Sequence, residues 1–217
     1  MVYYALLKWQ TNEYYWRYLL AAPNSETIDE WWRVVSEKDE CNFKRLAPDF
    51  YSWDKKKEVY DAAPEFMNRI MFSLLQERDG KIICTISQPE RANVVSGGSY
   101  YIRSKSNPEY YWLEKDGKVW STKLGRTRFV LRIEGAKDMD NTVLIGTDSI
   151  SIAPVGARQK YVDISDEGEL VVSGHSSHMY YSDLKRSFLA QGEHGQGSPS
   201  LAITKVGESG EEWELVE

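Results

Sequence analysis

The chain has little of what site chemistry usually draws on. Its 217 residues include two cysteines, Cys41 and Cys84, far apart and in no metal-type or Cys-x-x-Cys spacing. That excludes a disulfide-dense scaffold and argues against a zinc ribbon. Two reduced thiols are the expectation, with a Cys41–Cys84 disulfide as the open alternative. There are three histidines: His175, His178 and His194. "HSSH" sets the first two three residues apart with no further ligand close in sequence, so it reads as a solvated loop rather than a metal site. "GHSSH" lacks the second glycine of a nucleophile elbow. Neither G-x-x-x-x-G-K-[ST] nor G-x-G-x-x-G occurs, so no phosphate or dinucleotide loop is legible. The expectation is a protein without a cofactor and without catalysis. An acid/base pair assembled in space from carboxylates such as Asp138, Asp140 and Asp148 stays open, because sequence spacing does not decide it.

Long apolar runs are absent too. None approaches the roughly 20 residues that span a bilayer. The N-terminal stretch "MVYYALLKWQTNEYYWRYLLAA" is interrupted by Lys8, Glu13 and Arg17 and lacks the form of a signal peptide. A soluble, cytoplasmic protein that does not bind membrane is expected. Positive charge is scarce: 27 Lys and Arg face 33 Asp and Glu, a formal charge of −6. The one basic run, "DKKKE" at 54–58, is flanked by acids and reads as a solvated patch. No dense basic face for nucleic acid is legible.

What the chain does have is aromatic residues with a polar handle: 14 Tyr and 8 Trp against 6 Phe. Such rings suit strands and wet recognition faces. The opening residues read as a hairpin about Thr11-Asn12. Ala5, Leu7 and Trp9 then share a core face with Tyr14, Trp16 and Tyr18. "PNSETIDEWWRVVSEKDE" switches to helical period, with Ile28, Trp31 or Trp32, and Val35 on one stripe. A helix over about 26–37 follows, capped by Ser25 or Thr27. "PEFMNRIMFSLLQ" at 64–76 is ambiguous between helix and strand, and runs into a strand–turn–strand about Asp79-Gly80. From 95 onward the pattern is β throughout, with strands expected at 99–104, 109–115, 118–123, 127–133, 142–147, 149–153, 160–165, 169–173, 187–191, 201–206 and 211–216. Short strands at this spacing point to an antiparallel barrel or sandwich. "QGEHGQGSPS" at 191–200 reads as a loop, and "VVSGGS" at 94–99 as a linker. The division is therefore an α+β segment over 1–94 and a mainly β, antiparallel β-barrel over 95–217.

A weak repeat runs through this pattern. "LLQERDGKIICT" (74–85) aligns with "YWLEKDGKVWST" (111–122), and more loosely with "DISDEGELVVS" (163–173) and "TKVGESGEEWELV" (204–216). The turn glycines Gly80, Gly117, Gly168 and Gly210 are 37, 51 and 42 residues apart, near a hairpin-containing repeat of about 40. "GGSYYIRSKSNPEYYWLEKDGKVWSTK" followed by "TRFVL" resembles one unit of a β-trefoil of the fungal-lectin or trefoil-inhibitor kind, in which a G-x-Y-x-I strand leads into a hairpin. "EEWELVE" resembles a closing trefoil strand. The resemblance spans about 95–217 and is one of fold. No Q-x-W motif is present, and residues 1–92 have no counterpart in a plain trefoil. Another antiparallel barrel is the rival architecture.

In the hairpin "YYWLEKDGKVWSTK", a two-residue turn at Asp116-Gly117 pairs Leu113 with Trp120 and Trp112 with Ser121. One face carries Tyr111, Leu113 and Trp120 and reads as core. The other carries Tyr110, Trp112 and Val119 beside Glu114, Ser121 and Lys123, and reads as a mixed face able to stack on a sugar or seat a protein partner. The trefoil resemblance implies carbohydrate recognition. On that reading Tyr110 and Trp112 are stacking platforms, with Asn107 and Ser121 as hydrogen-bonding neighbours. Two other functions stay open. One is an inhibitor or interaction module presenting loop 174–186 or 191–200. The other is an enzyme with its site inside the barrel, which needs a polar, titratable cluster in a deep pocket.

Overall fold

The computed structural model describes residues 2–11, 16–38, 41–54, 58–75, 93–135, 139–191 and 200–217. The chain divides into two compact units, Met1–Asn93 and Val94–Glu217. Strands dominate, and no helix among the described residues is long and apolar enough to cross a membrane.

In the first unit, β1 (Tyr3–Trp9) pairs antiparallel with β2 (Arg17–Ala22), and β2 with β5 (Met71–Leu75). On the other side β1 runs parallel to β4 (Phe50–Trp53), which pairs with β3 (Lys44–Ala47). The β1–β2 register joins Ala5 to Leu20 and Leu7 to Tyr18, two residues away from the register that a turn at Thr11-Asn12 demands. An even shift leaves every side chain on its face. Ala5, Leu7 and Tyr18 are accordingly buried, with Trp9 and Trp16 packed against the same core; Tyr14 lies outside the described residues.

Helix α1 (Ser25–Ser36) starts one residue earlier than the pattern suggests. Asn24 is its cap, accepting the Thr27 backbone N–H at 2.9 Å and the Thr27 hydroxyl at 3.0 Å. Asn serves as well there as Ser. Of the paired tryptophans, Trp31 is the buried one, meeting Phe43 and Tyr51 edge-on. Pro64–Phe66 forms a single 3-10 turn before β5, which settles 71–75 as strand; the turn expected about Asp79-Gly80 lies outside the described residues. Cys41 is buried in this core and Cys84 lies outside the described residues. An ion pair is buried as well: Asp29 of α1 accepts from Arg45 of β3 at 3.1 Å, with both side chains at or below 10% exposure.

The second unit is an antiparallel sheet curled into half a barrel. Its strands are β6 (Ser99–Ser104), β7 (Tyr111–Lys115), β8 (Lys118–Thr122), β9 (Arg128–Ile133), β10 (Ser149–Pro154), β11 (Tyr161–Ile164), β12 (Leu170–Ser173), β13 (Met179–Tyr180), β14 (Phe188–Gln191), β15 (Ser200–Lys205) and β16 (Trp213–Val216). A four-residue helix α2 (Asp183–Arg186) precedes β14. The sheet runs β11-β12-β8-β7-β6-β9-β10-β13, with β15 joining β14 to β8 and β16 lying along β6. Residues 142–147 are not a strand; they make one bridge, Val143 to Val95. "VVSGGS" is not a free linker either. Ser96 N–H donates to the Thr142 carbonyl at 2.7 Å, Gly97 N–H to the Leu131 carbonyl at 2.7 Å, and the Ser96 hydroxyl accepts from Ile133 N–H.

The repeat glycines do different things. Asp116 and Gly117, both with positive φ (56° and 75°), form the primed two-residue turn that matches strand twist. Gly168 sits in the β11–β12 turn. Gly210 is in no hairpin turn: a Cβ there would lie 2.7 Å from the Arg186 carbonyl oxygen, so it is glycine because two backbones touch. Gly80 lies outside the described residues.

The core of the second unit centres on Trp112, which is 0% exposed. Its ring meets Phe129 of β9, Phe188 of β14 and Trp213 of β16 edge-on, at 6.0, 5.5 and 5.7 Å. Trp112→Ala is expected to destabilise the chain by about 3–5 kcal/mol, read as a lower urea midpoint. In the first unit, Asp29→Ala strands a buried guanidinium and is expected to lose about 3–5 kcal/mol, while Asp29→Leu with Arg45→Met recovers most of that loss in the same measurement.

Candidate functional site

The hairpin pairs as its sequence implies: Leu113 with Trp120, Trp112 with Ser121, and Tyr111 with Thr122. Its faces are the reverse of the expectation. Trp112, Val119 and Ser121 point into the core, while Tyr111, Leu113 and Trp120 point outward and are half-buried. A ring at 0% exposure stacks on no ligand, and Ser121 is 2% exposed, so neither serves as a surface contact. The polar groups that made this face look wet fall beyond the reach of the core: Glu114 is only half-buried, and Lys123 is exposed past the end of β8.

Of the other two expected residues, Asn107 is exposed. Its carbonyl accepts from Tyr110 N–H at 3.0 Å and its N–H donates to the Ser104 hydroxyl at 3.2 Å, so its backbone builds the turn into β7. Tyr110 is half-buried, and the Lys123 ammonium lies 5.0 Å over its ring while pairing with Glu109. The four expected residues therefore do not converge: two lie in the core and two at the turn.

A different constellation gathers on the outward face. Strand alternation turns Tyr101 and Arg103 of β6 outward between the buried Tyr100, Ile102 and Ser104. Across β6 and β9, Tyr101 is directly opposite Arg128, and across β6 and β7, Arg103 is opposite Tyr111. The Tyr101 and Tyr111 rings meet edge-on at 6.5 Å. The Arg126 guanidinium lies 4.1 Å from the Tyr101 ring centre and 5.4 Å from that of Tyr111; Arg128 lies 5.0 Å from Tyr101. Arg126 is held by its neighbour: Thr127 N–H donates to the Trp112 carbonyl at 2.9 Å, and the Thr127 hydroxyl accepts from Glu114 N–H at 2.9 Å.

Trp120 extends this face along β8, between Leu113 on one side and Ala202 of β15 on the other. Its indole N–H donates to the Lys115 carbonyl at 3.4 Å. Among the described residues no second ring or cation stacks on it. Its rank among the hairpin's aromatics was not legible locally, because it stands opposite Leu113 in a wholly apolar pair. For Arg126 and Arg128 the sequence signal is their spacing of two, with Arg128 at the start of β9 and Arg126 two residues before it.

A polar cluster sits elsewhere on the unit. The Ser149 hydroxyl donates to Glu134 Oε2 at 2.8 Å and lies 3.1 Å from His178 Nδ1; Glu134 Oε2 is 3.7 Å from the same nitrogen. A relay needs serine and acid on opposite ring nitrogens. Here both sit at Nδ1, so the group is a hydrogen-bonded surface network, and His178 also packs edge-on against Tyr180 at 4.9 Å. Among the described residues no three or more His, Cys, Asp or Glu converge to hold a metal ion; Asp138 and His194 lie outside them.

Asp163 pins the loop that carries the two histidines. Its carboxylate accepts from the Ser177 hydroxyl, from Ser173 Oγ at 2.8 Å and from Ile164 N–H at 2.8 Å. These bonds, Ser177's foremost, hold its pKa below the ordinary 3.8. A lowered folded-state value means that this stabilisation is complete above the ordinary value and is lost as pH falls through the lowered one. Asp163→Asn is expected to flatten the stability curve in that acid window, measured by urea unfolding from about pH 5 down to about pH 2.

No protein-family model matches the chain, and comparison with curated proteins finds no similar sequence.

Proposed function

We propose that the second unit is a non-catalytic recognition module of β-trefoil architecture, and that it binds carbohydrate on the outward face of β6, β7 and β8. The observation that carries the reading is Trp120, a half-buried indole on a rigid strand, on which no second ring or cation stacks among the described residues, beside Leu113 and the small Ala202. A flat apolar ring on a sheet face suits the C–H face of a pyranose, and Tyr111 and Tyr101, further along the same face on β7 and β6, add polar groups suited to a sugar's hydroxyls.

The trefoil arrangement is supported by strand pairing. Three successive groups of strands can be taken as units: β6–β9, β10–β13 and β14–β16. Within them β6 pairs with β9, and β10 with β13. The third group carries the matching bridge, Phe188 to Glu211, just ahead of β16. Between them β9 pairs with β10, and β16 returns to lie along β6. In a trefoil the first strand meets the last, and this pairing does so.

A protein partner is the second reading. Leu124, 74% exposed, sits at the edge of the same face and suits an apolar contact.

The test is a glycan array and calorimetry on wild type and Trp120→Ala. The expected outcome is specific sugar binding that falls at least about tenfold in the variant, with circular dichroism and urea midpoint close to wild type. Absence of sugar binding by the folded wild type would favour the second reading.

A further inference from the structure

We infer that the sugar is an anionic oligosaccharide, carrying carboxylate or sulfate groups, and that Arg126 and Arg128 are the residues that select it. The inference rests on the reading that this face binds carbohydrate, and it concerns which class.

Two cations near this face are paired, Arg103 with Glu214 at 2.6 Å and Lys123 with Glu109. Arg126 and Arg128 are both exposed, and among the described residues neither has a carboxylate partner. Both lie over one ring, that of Tyr101, at 4.1 and 5.0 Å. Two like charges gathered on one ring repel each other, and a ring quadrupole offsets only part of that at an exposed site. An anion shared between them removes the repulsion. The surrounding chain carries a net −6, so an uncompensated pair of guanidiniums is a local departure from its field.

Geometry adds the second step. A guanidinium over a ring presents its face to the ring and keeps its N–H donors, which lie in its own plane, for an acceptor at its edge. Carboxylate and sulfate fit such a fork in bidentate fashion. The backbone under both arginines is held, that of Arg128 by its place opposite Tyr101 in the sheet and that of Arg126 by the Thr127 bonds to β7. Tyr111, which Arg126 also approaches at 5.4 Å, is two residues from Leu113, the cross-strand partner of Trp120. Cross-strand diagonals of this kind are about 7–8 Å, a span that a sugar chain of two or more units bridges. One sugar on Trp120 then puts the acidic group of the next toward the arginines.

The experiment is calorimetry on the full chain with three probes: a sulfated glycosaminoglycan tetrasaccharide, a galacturonic acid tetrasaccharide and a neutral chitotetraose. Each is run at low and at high salt, on wild type, on Arg126→Gln/Arg128→Gln and on the charge control Arg132→Gln. Arg132 is the next outward arginine on β9 and lies 3.8 Å from Asp140. Expected are binding of at least one acidic probe over the neutral one, weakening in high salt, and a loss of about tenfold or more per arginine removed, with Arg132→Gln near wild type. Circular dichroism and urea midpoints establish that each variant is folded; should the double glutamine variant fail to fold, Arg128→Lys, which keeps the charge but not the fork, takes its place with a smaller expected loss. Preferential binding of the neutral probe, abolished by Trp120→Ala, overturns this inference and leaves the carbohydrate reading standing. Acidic binding unchanged in the arginine variants, or weakened equally by Arg132→Gln, overturns it as well. A folded wild type that binds none of the probes and no glycan on the array overturns both.

Discussion

The outward face of the second unit depends on the burial of one indole. With Trp112 enclosed by Phe129, Phe188 and Trp213, the period of two along a strand sends Tyr111 and Leu113 to the other side. The Asp116-Gly117 turn fixes Trp112 opposite Ser121 and Leu113 opposite Trp120, so Trp120 goes outward as well. The β6–β7 and β6–β9 pairings carry the same parity to Tyr101, Arg103 and Arg128. The aromatic outward face and the hydrophobic core are therefore two sides of one decision. A slip of a single residue in the β7–β8 register would exchange them, at the expense of an aromatic cluster drawn from four strands.

That decision was only half legible in the sequence. The register was readable, because Asp-Gly between two strand-like runs admits a tight primed turn with positive φ at both residues. The face was not. Both sides of the hairpin carry large rings, and the side with Glu114, Ser121 and Lys123 looks the wetter of the two. What overrules local polarity is that those groups flank the covered zone, apart from Ser121, which is small enough to sit opposite Trp112. The partners that cover Trp112 lie 17, 76 and 101 residues further along the chain, so no local window contains them. Other elements were readable for a related reason. β6 and α1 are set by strong local signals, alternation in "SYYIRS" and a 3–4 stripe of Ile28, Trp31 and Val35. The two-residue β13 and the short α2 have no such run and were not foreseen. Residues 142–147 had an apolar stretch with strand character, but only Val143 finds a bridge partner.

The two units solve the burial of polarity differently. The first encloses a full ion pair, Asp29 with Arg45, between a helix and an edge strand of its sheet. Separating such a pair leaves a desolvated charge, so it ties α1 to one registry over β3. The second unit encloses hydroxyls and an indole instead. The Trp213 N–H donates to the Phe188 carbonyl at 3.1 Å and the Ser200 hydroxyl to Thr122 Oγ1 at 3.0 Å. Its ion pairs such as Lys105–Glu212 and Lys118–Glu169 lie at the surface, where each contributes little to stability.

That distribution bears on what the surface can do. Surface ion pairs such as Lys105–Glu212 and Lys118–Glu169 bury no charge and hold the surface neutral at short range. A site that recognises an anion must break that neutrality somewhere while keeping its donors aimed. Stacking on tyrosine does both, because it restricts a guanidinium without supplying it an acceptor. Thr127 then does for the Arg126 backbone what the sheet does for Arg128, so both side chains start from an ordered backbone. Preorganisation of this kind lowers the ordering cost of binding. The strands that bury Trp112 provide it without any further device.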